Sequence, residues 1–157
     1  MKLPSDLIES LLFKRGSVLY REFNFQTGPR NKFFIVLNVE EKADPILAVL
    51  STSNVTWARE HPDHPGLVDI PVGTCDIFTV DTVIDCRELH SITREDLVIE
   101  YQNGRLTYKG ELSPEMITRL NHALKDARTL GPREKAKILP PEFRASARPR
   151  LLPPKKN

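Results

Sequence analysis

Gly16-Ser-Val-Leu-Tyr-Arg-Glu-Phe23, a polar stretch over 24–32, Phe33-Phe-Ile-Val-Leu-Asn38, a charged turn, and Ile46-Leu-Ala-Val-Leu-Ser-Thr-Ser-Asn54 follow one another in the chain. They read as three successive strands of a small sheet. Val18, Tyr20 and Glu22 alternate with Leu19, Arg21 and Phe23, the period of a strand whose two faces are both partly apolar. Residues 33–37 are continuously apolar and predict a central strand, and 46–50 predict a second buried run. Strands buried on both sides in so short a chain predict a small closed or half-closed barrel. The stretch 24–32 holds amides, a glycine, a proline and two cations, and reads as a loop. A site is expected where that loop meets the end of the third strand.

At 157 residues the chain is sized for one compact domain with a remainder. Its net charge of +2 conceals an uneven distribution. From Gly131 onward the cations outnumber the acids by roughly six, so the body before them is mildly acidic. Cys75 and Cys86 lie outside any Cys-x-x-Cys motif and read as buried thiols. The first residues lack the long apolar core of a signal peptide, and no run approaches a membrane span. A soluble, cytoplasmic protein is expected.

Outward from the three strands, Pro4-Ser5 opens a short helix with Ser5 as its cap and Leu7, Ile8, Leu11 and Leu12 on one face. Too short to stand alone, it must dock on the sheet. Residues 55–65 read as a long polar loop anchored by Trp57, and Val68-Asp-Ile70 as a short strand. Residues 76–85 predict a further strand, and 87–97 a connector with a helical turn. Asn103-Gly104, flanked by alternating residues, predicts a two-residue hairpin turn over 98–109. Ser113-Pro114-Glu115 opens the main helix, whose stripe runs Met116, Ile117, Leu120, Ala123, Leu124, Ala127 and Leu130 before Gly131-Pro132. The prolines beyond Lys137 argue against regular structure. The expected division is a docking helix over 1–14, a barrel domain over 15–131 and a basic, proline-rich tail over 132–157. The class is α+β, mainly β: a small barrel with an N-terminal helix and a C-terminal amphipathic helix.

The order of these parts resembles the PemK/MazF toxins. It has Gly-Ser-Val-Leu-Tyr, a glycine-containing loop, a cation entering an apolar strand, and a strand ending in Ser-Thr-Ser-Asn. Thr82-Val-Ile-Asp85 and Gly110-Glu-Leu-Ser-Pro-Glu-Met116 follow. The resemblance spans about residues 15–130 and implies an SH3-like barrel. It also implies a homodimeric, metal-independent endoribonuclease, without cofactor, that cuts single-stranded RNA and is held off by a small acidic antitoxin. The family draws an arginine, usually followed by proline, from the loop before its second strand, and a serine or threonine from the end of its third. Here Lys32 stands where the arginine is expected, Arg30 lies two residues earlier, and no Arg-Pro pair is present. Ser51 and Thr52 occupy the hydroxyl position. The implied catalytic residues are therefore Arg30, Lys32, Ser51 and Thr52.

Metal-free RNA cleavage needs a base for the 2′-hydroxyl, a cation for the pentavalent phosphate and an acid for the leaving oxygen. Arg30 suits phosphate, Lys32 is a second charge, and Ser51 or Thr52 an orienting hydroxyl. His61-Pro-Asp63-His64 offers acid–base imidazoles or the start of a metal site, against a solvated loop. Asp81 and Asp85 read either as paired carboxylates or as a strand end. Trp57, Tyr20 and Phe23 are base-stacking candidates or core. The basic tail would add salt-dependent affinity for phosphates. There is no glycine-rich phosphate loop, zinc spacing or nucleophile elbow. The alternative function is a non-catalytic barrel acting as a nucleic-acid-binding or protein-interaction module.

Overall fold

A computed structural model describes residues 3–145. The elements are α1 (Ser5–Leu12), β1 (Ser17–Phe25), β2 (Gly28–Val36), β3 (Ile46–Thr52), α2 (Thr56–Glu60) and β4 (Leu67–Ile70). They continue as β5 (Thr82–Ile92), α3 (Arg94–Gln102), β6 (Thr107–Glu111), α4 (Pro114–Asp126), α5 (Pro132–Ile138) and α6 (Pro141–Ala145). Six strands form one curled sheet, a half-barrel, in the order β4-β5-β3-β2-β1-β6, antiparallel at every pairing. The α+β class and small barrel-like sheet are as expected, although helix and strand contribute about equally.

The continuous apolar runs of β2 and β3 follow from the sheet having a core on each face. Val18, Ile35, Leu37, Val49 and Ile84 pack under Met116, Leu120 and Leu124 of α4. Leu19, Phe34, Val36, Ala48 and Leu50 pack on the opposite face with Ile8 and Leu12 of α1 and Leu97 and Val98 of α3. α4 starts as its sequence predicts: the Ser113 hydroxyl accepts from Met116 N at 3.2 Å, and Pro114 sits where no amide partner is needed. It stops at Asp126, yet Ala127 and Leu130 remain in the core. α1 begins after Pro4, and its first turn has no side-chain cap, so Ser5 is helical rather than capping.

Four further expectations are corrected. The loop over 24–32 is a β-hairpin, because Phe25 and Gly28 pair across a two-residue turn. The polar stretch after Asn54 contains α2. The strand expected at 76–85 begins at Thr82 and continues to Ile92, through the supposed connector. The segment before it is a loop, in which Asp81 accepts from Val72 N and Arg59. The tail also differs, since α5 and α6 occupy 132–145 and Ile138 and Leu139 are buried in the core. The remainder of that tail, 146–157, lies outside the described residues.

The fifth correction concerns Asn103-Gly104, which ends a helix instead of turning a hairpin. Thr93 caps α3 through Asp96 N at 3.2 Å. At the far end, Gly104 N donates to Tyr101 O at 3.1 Å and Arg105 N to Glu100 O at 2.8 Å. That pair of reversed bonds is a Schellman motif, with Gly104 at φ +77°. Asn103 keeps φ −92°, whereas a type I′ hairpin would need both residues positive. Gly104→Ala is therefore expected to cost about 1 kcal/mol in urea denaturation. Asn103→Ala should stay within about 0.5 kcal/mol. Equal losses at both positions would contradict this assignment.

Candidate active site

The β1–β2 hairpin sets the site. Arg21 pairs with Lys32, Phe23 with Arg30 and Phe25 with Gly28. Strand alternation places Arg21, Phe23, Phe25, Arg30 and Lys32 on one face, and Tyr20, Glu22, Asn24 and Asn31 on the other. β6 pairs with β1 only over residues 17–20, and β3 with β2 only over 34–36. The rest of the hairpin is a two-stranded ribbon. Its first face interleaves cations with rings. The Arg21 guanidinium lies 4.6 Å from the Phe23 ring centre and is forked to Glu100 at 2.7 and 2.8 Å.

Next to this face, β5 is irregular. Leu50 pairs with Asp85 but Ala48 with His90, so residues 86–89 bulge from the ladder. Bulges re-aim side chains and open a sheet locally. A small cleft of about 180 Å³ results, bordered by Lys32, Ser51, Thr52, Asp85, Glu88 and His90, with Phe25 alongside.

Of the four residues expected at the site, Lys32 and Thr52 share the cleft face, Ser51 borders the cleft from the other face, and Arg30 does not border it. Lys32 reaches the cleft. Burial, then the like charge of Arg30, pulls its ammonium below the usual lysine range. Arg30 is exposed farther along the ribbon and does not border the cleft. Thr52 shares the cleft face with Leu50, and its hydroxyl accepts from Asn54 N at 3.1 Å. Ser51, paired with Ile84 and only 4% exposed, falls by alternation on the opposite face.

Glu88 and His90 escaped the sequence reading because their segment looked like a connector. The strand-like alternation Glu88-Leu89-His90-Ser91-Ile92 was the available signal. Among the described residues, neither side chain has a hydrogen-bond or ion-pair partner. His90 meets Phe23 edge-on at 6.2 Å. Asp85 is different. Burial alone would raise its pKa, but the Arg87 fork at 2.9 and 2.9 Å, the Arg87 amide at 3.0 Å and nearby charges outweigh it. The carboxyl is held below its usual range and stays ionised. It is not paired with Asp81, which is bound to Arg59 at 2.9 Å.

The histidines of the 61–64 segment lie elsewhere, around Trp57. His61 stacks on the indole at 4.1 Å, His64 meets it edge-on at 5.1 Å and Arg87 sits 5.2 Å from its centre. Each Nδ1 contacts a carbonyl, Trp57 O at 2.8 Å and Pro65 O at 2.7 Å. A carbonyl only accepts, so the proton sits on Nδ1 in both. Among the described residues, no group of three or more His, Cys, Asp or Glu is placed to hold a metal ion. Tyr20 packs on Phe33 at 4.7 Å. Cys75 and Cys86 are free thiols, and burial raises that of Cys86. No helix among the described residues is long and apolar enough to cross a membrane.

No protein-family model matches the chain, and no curated protein shows significant similarity to it.

Arg87 is expected to govern the protonation of Asp85. The folded carboxyl lies below its unfolded value, so its stabilising contribution is present above the usual carboxylate range. That contribution is lost as pH falls through the folded value. In Arg87→Ala the burial remains and the fork is gone, so the Asp85 titration followed by carboxyl NMR should move up from its position in the native protein. If it does not move, another group holds the charge.

Proposed function

We propose that this chain is a PemK/MazF-like endoribonuclease toxin, acting in the cytoplasm on single-stranded RNA without a metal ion. One observation carries the proposal. A cation, a hydroxyl, a carboxylate and an imidazole, the last two without a partner among the described residues, border one cleft at the edge of a ribbon face that alternates cations with rings. Single strands are held by this combination, with phosphates on cations and bases against aromatic faces.

In the proposed reaction, Arg30 holds a phosphate along the ribbon and Phe25 borders the cleft that receives the scissile linkage. Glu88 takes the proton of the 2′-hydroxyl as that oxygen bonds to phosphorus. Lys32 stabilises the charge on the pentavalent phosphate as a point charge, and Thr52 orients a phosphate oxygen. The bond from phosphorus to the 5′-oxygen breaks, and that oxygen takes the proton carried by His90. One product ends in a 2′,3′-cyclic phosphate and the other in a 5′-hydroxyl. Glu88 and His90 then exchange protons with water. Asp85, held ionised by Arg87, keeps negative charge beside Lys32 and is not the acid. The active form is proposed as a homodimer, and a small acidic antitoxin would neutralise the ribbon's cationic face.

A second reading, a non-catalytic binding module, is favoured by the position of Arg30. No guanidinium reaches the cleft, and a lysine does not reproduce an arginine fork. Induced expression and cleavage of a labelled single-stranded RNA in the presence of EDTA separate the two. The nuclease reading expects growth arrest and fragments with 2′,3′-cyclic phosphate ends. His90→Ala and Glu88→Gln should each lower kcat about 10²–10⁴-fold. Arg30→Ala should act on KM and reduce the salt dependence of binding. RNA bound without fragments establishes the module instead.

A further inference from the structure

The second face of the ribbon leads to a different opening. The register sets Glu22 opposite Asn31, with Asn24 one step along the same face. Opposed residues of this kind have Cβ atoms about 5 Å apart. These three border an open cleft of about 530 Å³, together with Arg105 beyond α3 and Thr107 at the start of β6. That volume falls within the range of small-molecule sites. The cleft exists because β6 leaves β1 after Tyr20, so the outer edge of β1 beyond that point carries no strand.

Its interior is partly built and partly unspent. Arg21 and Glu100, each only 18% exposed, form a fixed bidentate pair on its lining. By contrast, the side chains of Glu22, Asn24, Asn31 and Arg105 have no hydrogen-bond or ion-pair partner among the described residues. One carboxylate, two carboxamides and one guanidinium therefore face the same space uncommitted.

Charge decides what class of ligand they suit. Arg21 and Arg105 are balanced by Glu22 and Glu100, whereas a phosphate subsite carries an excess of cations. A balanced set rich in donors and acceptors suits an uncharged planar group with both on its edge. We propose that this cleft is a nucleobase subsite that takes an unpaired guanine. The inference rests on the RNA reading above and adds to it the residues that choose the base. Guanine presents two adjacent donors, N1–H and the N2 amino group, to the Glu22 carboxylate. It presents two adjacent acceptors, O6 and N7, to the Arg105 fork. Adenine, cytosine and uracil each lack the adjacent pair of donors. Asn24 and Asn31 supply an amide to the remaining edge atoms. The strand then lays its phosphates on the face of Arg30 and Lys32 and turns one base around the free edge of β1.

Binding of 2′-O-methyl uridine pentamers, which cannot be cleaved by attack of the 2′-oxygen, tests the subsite apart from the chemistry. The pentamers carry a central guanosine, adenosine or uridine, and the ribose forms are assayed in parallel for cleavage. The guanosine pentamer should bind about tenfold tighter than the other two. Glu22→Gln and Arg105→Ala, both exposed positions, should each bring the affinities for the guanosine and uridine pentamers to within about twofold of one another. Guanosine preference in a protein that cleaves nothing supports the subsite and overturns the nuclease reading. Equal affinity for all three, with every ribose pentamer cleaved, overturns the subsite and leaves the nuclease reading standing. Tighter binding of the adenosine pentamer, or a preference that survives both substitutions, also overturns it.

Discussion

The fold hangs on a half-buried guanidinium. Arg15, between α1 and β1, donates through Nε to Leu37 O at 3.0 Å and Ile138 O at 3.2 Å, and through Nη2 to Asn121 Oδ1 at 2.7 Å and again to Ile138 O. One side chain thus joins the end of β2, the middle of α4 and the last residue of α5. Burial brings its pKa down to about 10, opposed by the charge of Glu142, so it remains a cation at neutral pH. Its hydrogen-bonding acceptors are neutral, and Ile138 O lies where the unpaired carbonyls of a helix end gather negative charge. α5, too short to persist alone, is held by this cap and by burial of Ile138. The same device recurs on the other face. The buried Arg94 donates to Ala43 O at 2.7 Å, to Glu41 O and to Glu9 at 3.1 Å, joining α1, the turn before β3 and α3.

These two ties immobilise the middle of the sheet and leave its ends free to differ. Near Arg15 the strands are paired on both sides and covered above and below. Toward Phe25 and Gly28 they outrun β3 and β6 and become a ribbon. The bulge in β5 sits at the boundary between the two regimes, where a strand must depart from its partner's register. Both clefts lie along that boundary, one on each side of the ribbon, so their shared position follows from the sheet's geometry.

How much of this was legible depended on whether a residue's partner was local. The three central strands, the class and the capped start of α4 follow from period, composition and a serine three residues before a free amide. The hydroxyl at Thr52 and the cation at Lys32 were found from their place in the order of elements. Glu88 and His90 were not, since only the pairing of β5 with β3 makes them neighbours of Lys32. Asn103-Gly104 misled for a definite reason: a glycine with positive φ serves hairpin turns and helix ends alike, and the difference lies in bonds to Tyr101 and Glu100. The prolines after Lys137 suggested a loose tail and Gly131-Pro132 a stop, yet Pro141 and Pro132 each open a short helix, a position where proline costs nothing. Arg15 read as a helix stop, because its acceptors lie up to 123 residues away.

Partnering also separates the charge that holds this fold together from the charge that the proposed function would use. Arg15 and Arg94 serve several carbonyls, Asp85 is spent on Arg87, and Asp81 on Arg59 and Val72. Each is committed, and committing it fixes either backbone or a protonation state. Glu88 and His90 at one cleft, and Glu22, Asn24, Asn31 and Arg105 at the other, have no such partner among the described residues. A proton-transfer group must stay free to change its bonds during reaction. A base-reading group must leave its donors and acceptors open until the base arrives. Leaving such groups unpaired costs little at a water-filled cleft and much in a core. The ribbon, thin enough to keep water on both faces, leaves a cleft on each side, and there this fold holds six polar side chains that have no partner among the described residues.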